Sequence, residues 1–349
     1  VDTIPQFEAG GSHYEVGLAM GRRFAQQVHR FFDGYDFLQE RLLPFYRSPA
    51  GRDLYQSFLA QHRTHFAGYV AELEGMAQGA ARPFEELFLV NLRGELGGLM
   101  ALRRPKSKGC ADCLVLTPQA ALIGHNEDGS PAARDNLFLA RLQVDANPTF
   151  TVLCYPGFLP GNALGFNAAG MVHTVDAVSP RRVRVGLARH FIARSLLDAR
   201  SATDAIRRVT VPGRAAGFTY NVGSLSERRV FSVEVSPERQ HVHEVRGHYV
   251  HTNHYLHLAG VAQGISASSR ARLARARALC QATPPASAAH VLALLGDQAN
   301  RDYPIYRRAT PPDQSATLCS ALFDLDARRL HIYTRGPGQE PETELSLDL

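Results

Sequence analysis

Apolar residues in the first hundred positions recur every three or four residues, the spacing of helices with one buried face, and beyond residue 110 they gather into the short runs expected of strands. Residues 15–32 predict a first helix, and the closely spaced Gly17 and Gly21 predict tight packing of that helix against a neighbour. Residues 56–76 predict another, ending near the small-residue run Gly75-Met-Ala-Gln-Gly79. Pro83, followed by Glu85 and Glu86, opens a third that runs to about residue 95, because proline and carboxylates suit a helix start. Arg103-Arg-Pro-Lys-Ser-Lys-Gly109 then reads as a basic, turn-rich linker, the kind of loop that proteases attack.

From there the period changes. Strands are predicted at 113–116, 120–124, 136–144 and 150–155, bounded by Thr-Pro, Gly and Asn-Pro punctuation. Gly165-Phe-Asn-Ala-Ala-Gly170 predicts a turn, with a strand returning over 171–178. Helices follow at 187–198 and, after a Ser201 cap, at 201–209. A meander of strands at 217–225, 229–235, 241–245 and 249–252 precedes helices at 268–281 and 287–295 and a last strand pair at 316–325 and 329–333. That order of elements predicts an α+β fold with layered sheets and helices outside them.

Composition narrows the class. With 349 residues, 45% hydrophobic and 20% charged, the chain can bury a large core as one or two domains. No apolar run approaches the roughly 20 residues of a membrane span, and the start, Val1-Asp-Thr-Ile-Pro-Gln-Phe-Glu, lacks a basic region followed by an apolar one, so a cytoplasmic protein with no membrane partner is expected. Cys110, Cys113, Cys154, Cys280 and Cys319 are an odd, scattered set, unlike a secreted disulfide framework. The net charge of +5 comes from arginines interspersed with acids, lysine occurring only at Lys106 and Lys108. Without a basic stripe or interleaved aromatics, no nucleic-acid partner is expected.

The chemistry centres on Lys108-Gly109-Cys110-Ala-Asp-Cys113-Leu-Val-Leu116. A thiol that attacks the carbonyl of the preceding residue needs an uncrowded peptide, and glycine has no Cβ to obstruct it. Scission between Gly109 and Cys110 would leave Cys110 with a free α-amine titrating at about 7.7–8.0. Such an amine can take the thiol proton at neutral pH, as an activated cysteine requires. The same letters allow a rival reading, since Cys110-Ala-Asp-Cys113 has the spacing of a redox pair or half a zinc site. No second CxxC completes a zinc site, and Cys113 runs into a strand rather than a helix.

Two further stretches carry candidate residues. Gly124-His-Asn-Glu-Asp128 ends the strand expected to pair with the one that Cys110 begins, which would bring Asp128 near the new amine; the local composition equally suits a hairpin loop. His251-Thr-Asn-His254-Tyr-Leu-His257 spaces three histidines for a metal, but no carboxylate accompanies them and a strand leading into a loop would point them apart. Asn253 in that stretch offers an amide donor to a developing oxyanion, worth about 3 kcal/mol when preorganised.

Taken in order, Gly109-Cys110, Gly124-His-Asn-Glu-Asp128, Gly165-Phe-Asn-Ala-Ala-Gly170, Val250-His-Thr-Asn-His254 and Ser315-Ala-Thr-Leu318 resemble the autoproteolytic acyltransferase family typified by fungal acyl-CoA:6-aminopenicillanic acid acyltransferase, which includes insect β-alanyl-amine hydrolases. Glu15-Val-Gly, Glu74-Gly and Asp302-Tyr-Pro extend the resemblance from about residue 8 to the C-terminus. It implies an N-terminal nucleophile hydrolase fold, a four-layer αββα sandwich, with a helical segment 1–109 cut from a catalytic segment 110–349 and kept as a tightly bound subunit. It also implies that Cys110 is the nucleophile, Asp128 the carboxylate that steadies it and Asn253 the oxyanion amide. Two departures bear on substrate. Gln314 stands where the fungal enzyme has an arginine, and Asp176 where it has an asparagine. Together they argue against a penicillin-type carboxylate and for an amine-bearing substrate beside Asp176, and the His-Asn-Glu-Asp form of the second motif is closer to the β-alanyl-amine hydrolase branch. The expected activity is therefore that of a self-cleaving cysteine amide hydrolase or N-acyltransferase on a small N-acyl amine or acyl thioester, with no cofactor and acyl-CoA as an optional co-substrate. Its competitors are a metal-dependent hydrolase built on His251, His254 and His257 and a non-catalytic binding domain on the same fold.

Overall fold

In the computed structural model, which describes residues 4–100 and 109–348, the helical periodicity of the N-terminal part is realised, but a strand comes first. β1 (Gln6–Gly11) is mostly exposed, so it lacks the apolar alternation that would have revealed it. Helices α1 (His13–Arg23), α2 (Ala25–Asp33), α3 (Leu43–Arg47), α4 (Pro49–His65), α5 (Ala67–Gly79), α6 (Phe84–Asn91) and α7 (Arg93–Leu99) follow, with a π-helical turn at Leu38–Leu42. Each of the three expected helices is two. The breaks fall at Phe24, Phe66 and Leu92, where the backbone leaves the helical region. At the first, the buried Phe24 ring stacks on Phe138. The linker expected at 103–108 lies outside the described residues.

The second part contributes β2 (Ala111–Leu116), β3 (Ala121–Gly129), β4 (Phe138–Val144), β5 (Phe150–Cys154), β6 (Leu164–Asn167) and β7 (Met171–Ala177). Then come α8 (Arg189–Leu196), α9 (Ala202–Val209), β8 (Phe218–Ser224), β9 (Arg229–Val235), β10 (Gln240–Glu244), β11 (Gly247–His251), α10 (Ala267–Ala282) and α11 (Ala288–Leu295). β12 (Ala316–Asp324), β13 (Arg329–Tyr333) and β14 (Thr343–Ser346) close the chain. The predicted strands fall in place; β6, read as part of a turn, and the short, four-residue β14 were not anticipated.

The strands form two sheets, one ordered β1-β4-β5-β6-β7-β8-β9-β10 and the other β11-β2-β3-β12-β13-β14. Among the strands of the described residues only the β1–β4 pairing is parallel. Between the sheets, Leu114, Ile123 and Phe323 of the smaller meet Leu153, Phe166 and Val172 of the larger in one apolar cluster. On the larger sheet's outer face lie α1, α5, α8 and α9, and on the smaller sheet's outer face α10 and α11. This is the four-layer αββα order expected from the resemblance. Among the described residues no helix is long and apolar enough to cross a membrane.

The N-terminal segment is bound into this sandwich rather than resting on it. β1 hydrogen-bonds along β4, and the fully buried Arg194 of α8 meets Glu72 of α5 at 3.1 Å and Asp198 at 3.0 Å. α1 and α5 touch backbone to backbone through glycines: a Cβ on Gly17 would lie 2.0 Å from the Glu72 carbonyl oxygen, and one on Gly75 2.1 Å from that of Tyr14. This is the tight packing that Gly17 and Gly21 predict, and Gly75 and Gly79 supply the facing surface. Because both obstacles are helix backbone, Gly17→Ala or Gly75→Ala should cost about 1–3 kcal/mol or more in urea unfolding, the scale of overpacking.

Candidate active site

The end of the interface between the sheets is polar where the middle is apolar, and strand alternation decides which residues meet there. On β2, Cys110 and Asp112 share the inner face with Leu114, while Cys113 faces outward into the cluster that contains Cys280 of α10. The CxxC cysteines therefore point to opposite sides of one strand, which removes the redox-pair and zinc readings. His125 and Glu127 of β3 also face inward, and the sheet register sets Asp112 opposite His125 on one side and His251 on the other. From the larger sheet, Thr174, Asp176 and Glu234 reach across to meet them.

The result is a buried column of acids and imidazoles that starts at the thiol, with Asp112 and Asp176 adjoining at its centre. Cys110 Sγ donates to Glu127 Oε2 at 3.6 Å. His125 is held by Glu127 through Nε2 and by Asp112 through Nδ1, each at 3.0 Å. Thr174 donates to Asp112 at 2.6 Å and Tyr155 to the other Glu127 oxygen at 2.5 Å. Asp176 takes His251 Nδ1 at 2.8 Å, and the other ring nitrogen of His251 lies 3.6 Å from Glu234. Glu234 accepts the backbone N–H groups of Leu256, His257 and Leu258, which fixes the loop after β11.

Protonation follows from these surroundings. Burial, with the Glu127 charge beside it, pushes the Cys110 thiol well above its ordinary value, so it stays protonated until an acceptor takes its hydrogen. Burial opposes charge on His125, yet Asp112 outweighs it and holds the imidazole well above its usual range. Asp176 is pushed up to about 7 by burial and then by Asp112. His251 is held up at about 9 against its burial by Asp176.

A second assembly surrounds the Gly109–Cys110 peptide. Arg307 Nη1 donates to the Gly109 carbonyl oxygen at 3.0 Å and Arg272 Nη1 to that of Cys110 at 2.6 Å. Asp128 stands between these guanidiniums, 3.3 Å from Arg307 and 3.9 Å from Arg272, with Thr317 donating to it at 2.7 Å. Burial raises the Asp128 carboxyl, while the two arginines draw it back. Asn253 packs against Gly109 so closely that a Cβ there would lie 2.1 Å from its amide carbon. Its Oδ1 accepts from Arg272 at 2.5 Å, and its Nδ2, buried, has no hydrogen-bond partner.

Of the residues singled out in the sequence, Gly109, Cys110, Asp128 and Asn253 are thus brought together. Asp176 is not at the cleft surface. It is fully buried, and the cleft wall beside it is made by its neighbours Val175 and Ala177. The three histidines read as a metal set are separated: His251 Nδ1 belongs to Asp176, His254 Nδ1 to Ser269 at 2.7 Å, and His257 stacks between His241 and His243. His241, His243 and His257 do bring ligand atoms within 4.8 Å of one another. Their ring planes are within 16° of parallel, so the in-plane lone pairs do not converge on a point.

Arg272, Arg307, His125 and Glu127 were not assigned roles by sequence reasoning. The last two lay in plain view inside the Gly124–Asp128 motif. The arginines carried no local signal, since α10 and the loop before β12 reach the site only through the fold. Arg307 bears on Gln314: that residue is exposed, while Asp313 beside it grips Arg307 at 2.5 Å, so a fixed positive charge is present despite the glutamine.

The column makes a testable statement about pH. Asp176 and His251 both hold protons more tightly in the folded state than in the unfolded chain, so their stabilisation is full at low pH and is lost as pH rises, Asp176 toward about 7 and His251 toward about 9. Unfolding free energy should fall with a slope of up to about 1.4 kcal/mol per pH unit for each proton released. Asp176→Asn, which removes the shared charge, should flatten that fall when denaturant titrations at pH 5, 7 and 9 are compared.

A cleft of about 820 Å³, counted to its open mouth, leads to Cys110 between the N-terminal helices and the sheets, within the range of small-molecule sites. Comparison with known proteins finds relatives of this chain. Residues 115–339 match the model of the family described as acyl-coenzyme A:6-aminopenicillanic acid acyl-transferase. The chain is 30% identical to the Drosophila melanogaster beta-alanyl-dopamine/carcinine hydrolase over 99% of its own length and 96% of that protein. It is 32% identical to the Emericella nidulans acyl-coenzyme A:6-aminopenicillanic-acid-acyltransferase over 54% of this chain and 52% of that one. Among solved structures it is similar to penicillin V acylase from Agrobacterium tumefaciens, with 17% identity and a TM-score of 0.45 over 65% of this chain and 83% of that one. The chain belongs to the acyl-coenzyme A:6-aminopenicillanic acid acyl-transferase family.

Proposed function

We propose that the chain cuts itself between Gly109 and Cys110, and that the freed Cys110 then hydrolyses the amide of a small N-acyl amine through a thioester. The observation that carries this reading is the set of groups around one peptide: a thiol hydrogen-bonded to a carboxylate, an arginine on the preceding carbonyl oxygen, and an unpartnered amide donor against the same glycine.

In the first reaction Glu127 accepts the thiol proton, the sulfur bonds to the Gly109 carbonyl carbon, and Arg307 and Asn253 stabilise the oxyanion. The C–N bond breaks as the Cys110 nitrogen takes up a proton. Water then attacks the thioester, leaving a Gly109 carboxylate and a Cys110 with free thiol and free α-amine. Substrate carbonyl carbon next occupies the place that Gly109 vacated, against the same oxyanion donors. The α-amine now serves as the thiol's proton acceptor and returns that proton to the leaving amine. Asp128, between Arg272 and Arg307, keeps both guanidiniums aimed at the two carbonyls. Asp176 acts at a distance, by holding His251 and, through Asp112, the imidazole that orients Glu127. Full-length similarity to a hydrolase, against half-length similarity to an acyltransferase, favours water over an amine as the usual acyl acceptor. Segments 1–109 and 110–349 stay assembled after scission through β1 and the α5–α8 ion pairs.

Intact mass spectrometry should find two fragments that separate at Gly109/Cys110 and a single chain for Cys110→Ala. The cleaved protein should release free amine from a panel of N-acyl amines, and Asn253→Ala should lower kcat by roughly 10²–10³, the effect of losing one oxyanion donor. An active preparation made only of unbroken chain would overturn the reading.

A further inference from the structure

The wall of the cleft that faces Cys110's opening is more positive than the sequence led one to expect. Arg93 and Arg189 both line it. The side chain of Arg189 is only 10% exposed, and its Nε and Nη1 have no hydrogen-bond partner. Among the described residues its one ion-pair partner, Glu95, is 3.9 Å from Nε and makes its closer contact with the Arg189 backbone N–H at 3.0 Å. The guanidinium lies over the Phe218 ring at 4.4 Å and against Gly94, where a Cβ would stand 2.2 Å from Nη2. Arg93 lies over Phe158 at 4.4 Å, donating to the Val90 carbonyl at 3.2 Å and contacting His190 Nε2 at 3.1 Å. Burial and the two arginines keep His190 neutral, so it adds no charge. Here two guanidiniums stand against one carboxylate, leaving one positive charge largely stripped of water beside the Phe158 and Phe218 rings, while Glu127 and Asp128, which line the same cleft, lie at its Cys110 end.

A desolvated cation with loose pairing is costly unless an anion completes it. Aromatic faces beside it would hold the apolar body of the same molecule. We infer that Arg189, with Arg93, forms an anion subsite of the cleft and that the substrate is an N-acyl amine bearing a carboxylate, which this wall holds while the amide lies at Cys110. The inference rests on the reading of the cleft as the acyl-amine site. It departs from the amine-bearing preference expected from Asp176, because Asp176 is sealed behind the cleft wall and Arg189 is part of it.

The test uses the cleaved wild-type protein and three amides that differ only in charge placement: N-butanoyl-phenethylamine, N-butanoyl-phenylalanine with a carboxylate on the amine side, and N-glutaryl-phenethylamine with one on the acyl side. One of the charged pair should exceed the neutral amide in kcat/KM by about tenfold or more, chiefly through KM, as expected for a hydrogen bond to a charged group. Which of the two does so tells the side of the scissile bond on which the anion sits. Arg189→Gln should bring that ratio to near one, and Arg189→Lys should keep part of it, which separates lost charge from misfolding. Calorimetric binding of 4-phenylbutanoate against 4-phenylbutanol to the wild-type protein reads the subsite without any turnover. Tighter binding of the carboxylate, lost in Arg189→Gln, supports the subsite even if none of the amides is hydrolysed, an outcome that would count only against the reaction. Equal binding of acid and alcohol overturns the subsite even if all three amides are cleaved.

Discussion

Charge buried between two β-sheets is the constraint from which the rest of this structure follows. Glu127, His125, Asp112, Asp176, His251 and Glu234 stand in a line with almost no access to water, and each would be costly there alone, by several kcal/mol for a desolvated ion. They are tolerable because one imidazole stands between Glu127 and Asp112 and another between Asp176 and Glu234, and because the Asp176 carboxyl, pushed up to about 7 by burial and by Asp112, can keep a proton where the two aspartates adjoin. Such an arrangement leaves little freedom in how the sheets are assembled. Asp112 meets His125 and His251 because it lies directly opposite each in the register of β2 with β3 and with β11. A slip of one residue would turn Asp112 outward and bring Cys113 in, leaving unpaired charge in an apolar layer. The ionic column therefore fixes register as firmly as the apolar cluster beside it, and it delivers one carboxylate to the sulfur of Cys110.

The guanidinium pair solves a different problem. Arg272 and Arg307 come from α10 and from the loop before β12, on the far side of the smaller sheet, and converge on two successive carbonyl oxygens. Two cations so close repel, and Asp128 and Asp313 offset that repulsion while setting the direction of each fork. The motifs recognised along the chain acquire separate physical tasks in this light. Thr317 of the Ser315–Leu318 stretch holds Asp128. Asn126 ties β3 to the carbonyls of Leu295 and Ile305, close to Arg307. Asn167, in the Gly165–Gly170 turn, bonds the carbonyls of Leu197 and Ala199 at the end of α8 and never approaches the sulfur.

The N-terminal segment does more than precede Cys110. Phe31, Tyr35 and Arg93 line the cleft together with Phe158, Phe218 and Arg189 of the second segment. The lining of the cleft thus draws on both segments, so residues 1–109 supply part of its wall.

Sequence alone determined what depends on neighbours in the chain. Strand and helix periods came through because alternation and amphipathicity are local. The glycine contact of α1 was visible because a small residue on a helix face has few other reasons to be there, and the Gly109–Cys110 step could be singled out because the chemistry proposed for it involves two adjacent residues. Helix breaks at Phe24 and Phe66 were hidden, since each is set by what the ring packs against. So was the exposed β1, which owes its form to a partner more than a hundred residues away. Tertiary structure alone decided that Asp176 is buried behind Val175 and Ala177, that His251, His254 and His257 part company, and that Arg189, Arg272 and Arg307 supply the charge that Gln314 does not. An arginine's neighbours are chosen by packing between distant elements, and electrostatic energy depends on distance and dielectric in three dimensions, neither of which is written in the order of residues.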